Sequence, residues 1–127
     1  MAIKSSQSLV KEALSQIKTI SSEEAKKKID DKECNLIDLR DIRELEKNGR
    51  IENSIHIPRG MLEFWMDPES AYFKDGKIDM NKEMVLFCAG GLRSALSAKS
   101  LQEMGFKKVS HIDGGFAAMR NNGFKIT

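Results

Sequence analysis

Residues 84–105 read MVLFCAGGLRSALSAKSLQEMG, and this stretch decides the fold. Met84–Phe87 is a short apolar run closed by glycines, which predicts a buried strand. From Arg93 onward the pattern changes to helical spacing. Ala95, Leu96, Ala98, Leu101 and Met104 fall on one face, and Gly105 stops the helix. One of only two cysteines, Cys88, stands at the strand-to-helix junction.

Working outward, the same alternation recurs. CNLIDL (34–39) predicts a strand that carries Asp38 to its C-terminal end, and DIRELEKNG (41–49) a short helix stopped by Gly49. SIHI (54–57) predicts a strand closed by Pro58. Residues 67–83 are polar and turn-rich, a surface excursion. Downstream, KVSHID (108–113) predicts a last strand and GGFAAMRNNG (114–123) a last helix. Upstream, Ser21 with Glu24 fits a capping box, so a helix starts at Ser22. Residues 1–17 form an amphipathic helical extension, with Leu9, Val10, Ala13, Leu14 and Ile17 at helical spacing. That stripe predicts packing on the domain, with a dimer or partner surface as the alternative. Strands alternating with helices define an α/β domain with a mainly parallel sheet over 18–127.

With 127 residues, 40% hydrophobic and 31% charged, the chain has the size and composition of one soluble domain. Its formal net charge is +2 and carries no long basic or acidic block, so nucleic-acid and membrane partners are not expected. No run is long enough to span a bilayer, and the N-terminus lacks the apolar core of a signal peptide. A cytoplasmic location and a monomer or weak homodimer are the expectations. Cys34, Cys88, His56 and His111 are scattered without paired ligand spacing, so no metal is expected.

In a parallel sheet, ligands bind beyond the carboxyl ends of the strands. Cys88 is delivered to that edge, where the next helix presents unpaired N–H groups and the positive end of its dipole. The thiolate is the nucleophile, and this field favours it. Gly90 and Gly91, free of Cβ atoms, can take positive φ and turn successive N–H groups onto one anion. Arg93 adds a permanent cation with a forked set of donors suited to an oxyanion. The residues alone leave a plainer alternative open: Cys88 as a small hydrophobe and the glycines as a turn.

VLFCAGGLRSALSAKSLQEMG followed by HIDGG resembles the catalytic half of a rhodanese domain. NLIDLRD and GRIENSIHIPRG resemble the two upstream motifs of that family, in the expected order, and the resemblance covers residues 18–123. It implies a sheet of about five strands with helices on both faces. It further implies that Cys88 takes a sulfur from a donor such as thiosulfate, holds it as a persulfide, and yields it to cyanide or a thiol. The implied donor is a small molecule or a protein. Ala89, Gly90, Gly91, Leu92 and Arg93 would form the active-site loop. No cofactor is implied beyond the bound sulfur. Four residues separate Cys88 from Arg93, as in sulfurtransferases; relatives resembling cell-cycle phosphatases and arsenate reductases have five. Phosphatase or arsenate reductase is the enzymatic alternative, and a non-catalytic rhodanese-like binding module the third. Many bacterial relatives carry an aromatic residue at the position of Leu92 and a tryptophan at that of Met119, which are departures here.

Asp38 and Arg40 match the first upstream motif, and their expected role is to orient loops beneath the site. Arg59 is expected to add positive potential or to cap its turn. His56 is expected to be a hydrogen-bonded structural residue. Phe64 and Trp65 are expected to pack, with lining of the pocket mouth as the alternative, and Cys34 to be an inert core residue, with a resolving disulfide to Cys88 as the alternative.

Overall fold

The computed structural model describes residues 2–73 and 76–127; Met1 of the N-terminal segment and positions 74 and 75 of the polar excursion lie outside the described residues. Among the described residues, β1 (Lys18–Ile20), β2 (Cys34–Asp38), β3 (Ile55–His56), β4 (Glu83–Phe87) and β5 (Val109–Ile112) form one parallel sheet. Its strand order is β1-β5-β4-β2-β3. The helices are α1 (Ser6–Leu14), α2 (Ser22–Asp30), α3 (Ile42–Asn48), α4 (Leu62–Met66), α5 (Leu92–Met104) and α6 (Gly115–Asn121). A 3-10 turn at Arg59–Met61 leads into α4.

The alternation of side chains along β4 divides the core in two. Met84, Leu86 and Cys88 face one layer with Ile37, Leu39, Leu62, Met66, Ala98 and Leu101. Val85 and Phe87 face the other, with Leu36, Ala25, Phe116 and Met119. The first layer thus holds α4 and α5, and the second α2 and α6. Each fully buried aliphatic side chain stabilises by about 1.5–3 kcal/mol, so two buried faces on one sheet fix the register of every strand.

Four strands fall where apolar runs predict them, and β1 does not. Its three residues show no alternation, and two are exposed. What makes KTI a strand is its partner: Lys18, Thr19 and Ile20 pair with Ser110, His111 and Ile112 of β5.

The helix faces also need correction. On α5 the buried residues are Ser94, Ala95, Ser97, Ala98 and Leu101, whereas Met104 is 40% exposed and Leu96 only partly covered. The two serines are admitted because their hydroxyls are bonded: Ser97 Oγ donates to the Arg93 carbonyl and Ser94 Oγ bonds His111. On α1, which packs on α5, only Ala13 is buried; Leu9 and Leu14 are exposed. Ser21 caps α2 by accepting from the Glu24 N–H. The complete capping box belongs to α3, where Asp41 and Glu44 satisfy each other's backbone N–H groups.

The two upstream motifs lock together beneath the sheet edge. The Ile57 N–H donates to the Asp38 carbonyl and the Arg59 N–H to the Leu39 carbonyl. His56 Nε2 donates to the Arg40 carbonyl at 2.7 Å, the structural role expected of it. Trp65 packs on the first core layer, but Phe64 is 53% exposed and does not pack as expected.

Candidate active site

β4 ends at Phe87 and α5 begins at Leu92, so Cys88–Gly91 form the connection at the carboxyl edge of the sheet. Gly91 is the N-cap of α5, with φ of 109°. This conformation is open to glycine, and it aims the first free N–H groups of the helix inward. The Gly91 N–H donates to Cys88 Sγ at 3.2 Å, and the Ser94 N–H donates to the same sulfur at 3.4 Å. Two backbone donors therefore converge on a sulfur whose residue is 1% exposed. Gly90 departs from expectation: its φ is not positive, and a Cβ there would meet nothing within 4 Å.

The outside of the connection is held by α6. The Phe116 N–H donates to the Cys88 carbonyl at 2.8 Å and the Ala117 N–H to the Ala89 carbonyl at 3.4 Å. The DGG motif makes this approach feasible, because Gly115 lies directly against the Cys88 carbonyl. Ala89 and Gly90 are exposed, and Leu92 is 67% exposed, so the rim above the sulfur is open to solvent.

The Arg93 guanidinium is engaged first by Glu44 and, more weakly, by Cys88 beside it. Its Nη1 and Nη2 donate to the two carboxylate oxygens of Glu44 at 2.8 and 3.0 Å. The bond from Arg93 holds the Glu44 carboxyl below its ordinary range, against a smaller opposing effect of burial. Glu44 thus serves twice, capping α3 and engaging the loop arginine. Sequence reading passed over it because its partner lies 49 positions away.

Asp38 and Arg40 are both buried, at 0% and 1% exposure, and they bind each other. Arg40 Nη2 donates to Asp38 Oδ2 at 2.8 Å and to the Gly49 carbonyl at 3.0 Å. Its guanidinium lies 4.1 Å from the Phe116 ring centroid. Removing one partner of such a buried pair leaves an uncompensated charge and costs about 3–5 kcal/mol. The pair braces α3 and α6, the helices that hold the two sides of the loop. Arg59 is engaged elsewhere: it pairs with Glu63 at 2.9 Å, and Glu63 also accepts from Ser100 of α5. The structure therefore brings Cys88 and its loop together, sets Asp38 and Arg40 behind them as a pair, and ties Arg59 to α4.

Ser94 and His111 are site residues that sequence reading missed. Cys88 Sγ lies 3.6 Å from Ser94 Oγ, which lies 2.9 Å from His111 Nδ1. Burial lowers the His111 pKa against the opposing charge of nearby Asp113, and so favours the neutral imidazole. The one available signal was a histidine in HIDGG, immediately before the glycines that contact the loop.

Cys34 stands apart from all of this. It starts β2, packs against the opposite core layer and is paired in register with Glu83. Cys88 lies five residues further along that direction, about 16 Å at ~3.3 Å per residue, beyond the roughly 7 Å limit for a disulfide. Burial, reinforced by the Glu83 charge, pushes the Cys34 thiol up to about 11. Its thiolate fraction at pH 8 is then on the order of 10⁻³. We expect iodoacetamide at pH 8 to modify Cys88 at least about 10-fold faster than Cys34, because only the ionised thiol reacts. Peptide mapping by mass spectrometry checks this; equal labelling would contradict it.

The fold and site define a class: a parallel α/β domain with a cysteine at a strand end, inside a loop of backbone donors closed by a helix N-terminus. A family model for the rhodanese-like domain matches residues 21–122, and the chain belongs to that family. It is 38% identical over 104 residues to "Putative sulfurtransferase YtwF" of Bacillus subtilis, covering 81% of this chain and 90% of that one. It spans about half the length of a second relative from that organism, "Putative sulfur carrier protein YrkF", to which it is 34% identical. Among solved structures, a Rhodopseudomonas palustris protein of unknown function, described as "Possible Tyrosine Phosphatase", superposes with a TM-score of 0.92 at 42% identity. That match covers 100% of this chain and 97% of the other. The polysulfide-sulfur transferase homodimer of Wolinella succinogenes superposes with a TM-score of 0.73 at 30% identity, over 93% of this chain and 83% of that one. The general class is that of rhodanese-family, sulfurtransferase-like proteins. Among the described residues, no helix is long and apolar enough to cross a membrane, and no group of three or more metal-ligating side chains is present.

Proposed function

We propose that the protein is a sulfurtransferase in which Cys88 carries the transferred sulfur as a persulfide. The observation that supports this is the convergence of the Gly91 and Ser94 N–H groups on Cys88 Sγ. In the forward step the Cys88 thiolate attacks the outer sulfur of a donor. The Sγ–S bond forms, the donor's own S–S bond breaks, and the electron pair leaves with the donor, as sulfite where the donor is thiosulfate. An acceptor thiol or cyanide then attacks the terminal sulfur and returns Cys88 to the thiolate. Donors that stabilise negative sulfur in both states lower both barriers without rearrangement.

Arg93 bears on the donor. Because both of its outer nitrogens are engaged by Glu44, a sulfonate such as that of thiosulfate competes with a carboxylate for them. A polysulfide or a hydropersulfide needs only the backbone donors. We expect Glu44→Gln to lower the KM for thiosulfate by about 3–10-fold, with a smaller effect on polysulfide, since a charge-assisted pair contributes about 1.5–3 kcal/mol. Steady-state kinetics with both donors checks this, and an unchanged thiosulfate KM would contradict it.

A second reading, phosphate-ester hydrolysis, is favoured by the description of the Rhodopseudomonas structure. Phosphoryl transfer needs several equatorial oxygens held at once by backbone donors and a cation, and here the loop arginine is already paired. The deciding experiment is intact-protein and peptide mass spectrometry after exposure to thiosulfate or polysulfide, with aryl-phosphate turnover measured in parallel. One added sulfur on Cys88 supports the transferase. Aryl-phosphate hydrolysis that depends on Cys88, with no added sulfur, supports the phosphatase instead. Neither activity returns the protein to the binding-module class.

A further inference from the structure

Behind the sulfur, polar side chains from four elements line up. Cys88 at the end of β4 and Ser94 on α5 are 3.6 Å apart, Ser94 and His111 on β5 2.9 Å, and His111 Nε2 and Thr19 Oγ1 on β1 3.0 Å. The first three residues are at most 2% exposed, whereas Thr19 is exposed. The line therefore runs from a buried thiol to the surface at β1. The imidazole also backs the loop itself, since His111 Cε1 lies 4.0 Å from where a Gly91 Cβ would stand.

We propose that Ser94, His111 and Thr19 form a proton conduit that takes the Cys88 thiol proton to the surface at β1, while His111 stays neutral and exchanges tautomer. This rests on Cys88 being the nucleophile of the proposed reaction. The bookkeeping of protons closes. With Cys88 as a thiol, its S–H donates to Ser94 Oγ, the Ser94 hydroxyl to His111 Nδ1, and Nε2–H to Thr19 Oγ1. On ionisation the thiol proton moves to Ser94 Oγ and the Ser94 proton to Nδ1. The Nε2 proton passes to Thr19, whose hydroxyl proton goes to water. One proton has left, and Cys88 is a thiolate. Ser94 now donates to Sγ as a third hydrogen-bond donor, and His111 carries its proton on Nδ1. His111 acts through Ser94 and is a positioning residue.

The groups around the imidazole suit this role. β1 offers Thr19, with Lys18 preceding it; α5 offers Ser94, with the Arg93 guanidinium paired to Glu44 and also beside Cys88; β4 offers Cys88. Asp113, at the end of the same strand, is the charge that acts on the ring, and burial outweighs it. A neutral imidazole keeps one nitrogen free to accept and one N–H free to donate, which a conduit requires and an imidazolium lacks.

The test is ¹⁵N NMR of protein labelled at histidine, with Cys88 ionisation followed in the same samples by its alkylation rate. The chain has two histidines, so His56, fixed on the Arg40 carbonyl, serves as an internal reference. We expect the His111 ring to change from Nε2–H to Nδ1–H as Cys88 ionises, and to keep one tautomer in Cys88→Ala. A ring that keeps one tautomer through the Cys88 titration, or that becomes imidazolium in step with it, overturns the conduit. The surface leg is tested by Thr19→Val, an exposed substitution. It should slow Cys88 alkylation near neutral pH by about 3–10-fold, with Thr19→Ser restoring the rate; an unchanged rate in Thr19→Val overturns the route to the surface. These readouts use the thiol alone. A fixed tautomer in protein that still gains sulfur on Cys88 defeats the conduit only. Tautomer exchange in protein that never gains sulfur defeats the functional reading and leaves the conduit standing.

Discussion

Cys88→Ser is expected to lower sulfur transfer by at least about 10³-fold while leaving the fold in place. Serine is near-isosteric with cysteine, and residue 88 ends a strand whose packing is set by Met84, Leu86 and their partners. The substitution therefore removes little apolar contact. It removes the nucleophile, because a hydroxyl is far less ionised than a thiol near neutral pH and forms no persulfide. The variant should unfold within a few degrees of the unaltered protein and should gain no mass on exposure to thiosulfate or polysulfide. Turnover comparable to that of the unaltered protein would mean that the sulfur is carried elsewhere. Cys34→Ser is the natural companion. With Cys34 on the opposite core layer and at the far end of β2, it should keep most of the activity.

The largest expected effect on stability comes from a single methyl group at Gly115. An added Cβ would stand 2.3 Å from the Cys88 carbonyl oxygen and 2.9 Å from the carbonyl carbon of Ala89, both backbone atoms. The residue also has φ of 54°, a region that disfavours side chains. No side chain can swing aside to relieve this contact, so either α6 or the loop must move. Gly115→Ala should cost about 3–5 kcal/mol from overpacking and backbone strain combined, lowering Tm by roughly 10 °C or more. Because the Phe116 and Ala117 N–H groups bind the loop carbonyls, the remaining folded protein should also lose sulfur uptake at Cys88. Gly105→Ala makes the control. Its φ of 107° is equally unfavourable, but nothing lies within 4 Å of its Cβ position, so about 1 kcal/mol of strain is expected. Equal losses in the two variants would show that φ, and not the contact with the loop, sets the cost.

The sequence by itself determined the strand-loop-helix unit over residues 84–105, the parallel α/β class and the place of Cys88 at the sheet edge. Those features are local. A four-residue apolar run, a glycine at the start of α5 and a 3.6-residue period are all written within a window of about 20 positions. The place of Asp38 at the end of β2 was legible on the same grounds, whereas its complete burial was not. β1 was not, because KTI becomes a strand only through its partners on β5, more than 90 positions later. Nor could local pattern disclose that Arg93 is held by Glu44, 49 positions away, since a guanidinium takes whichever carboxylate the fold brings near. Ser94 shows the limit most clearly. By its chemistry it reads as a polar residue on a helix, whereas the apolar Leu96 and Met104 read as core. The tertiary structure reverses this, burying Ser94 between Cys88 and His111 and leaving Met104 partly in water. A hydroxyl can be buried only where partners satisfy it, and those partners, Cys88 and His111, come from two other elements that only the folded sheet brings together.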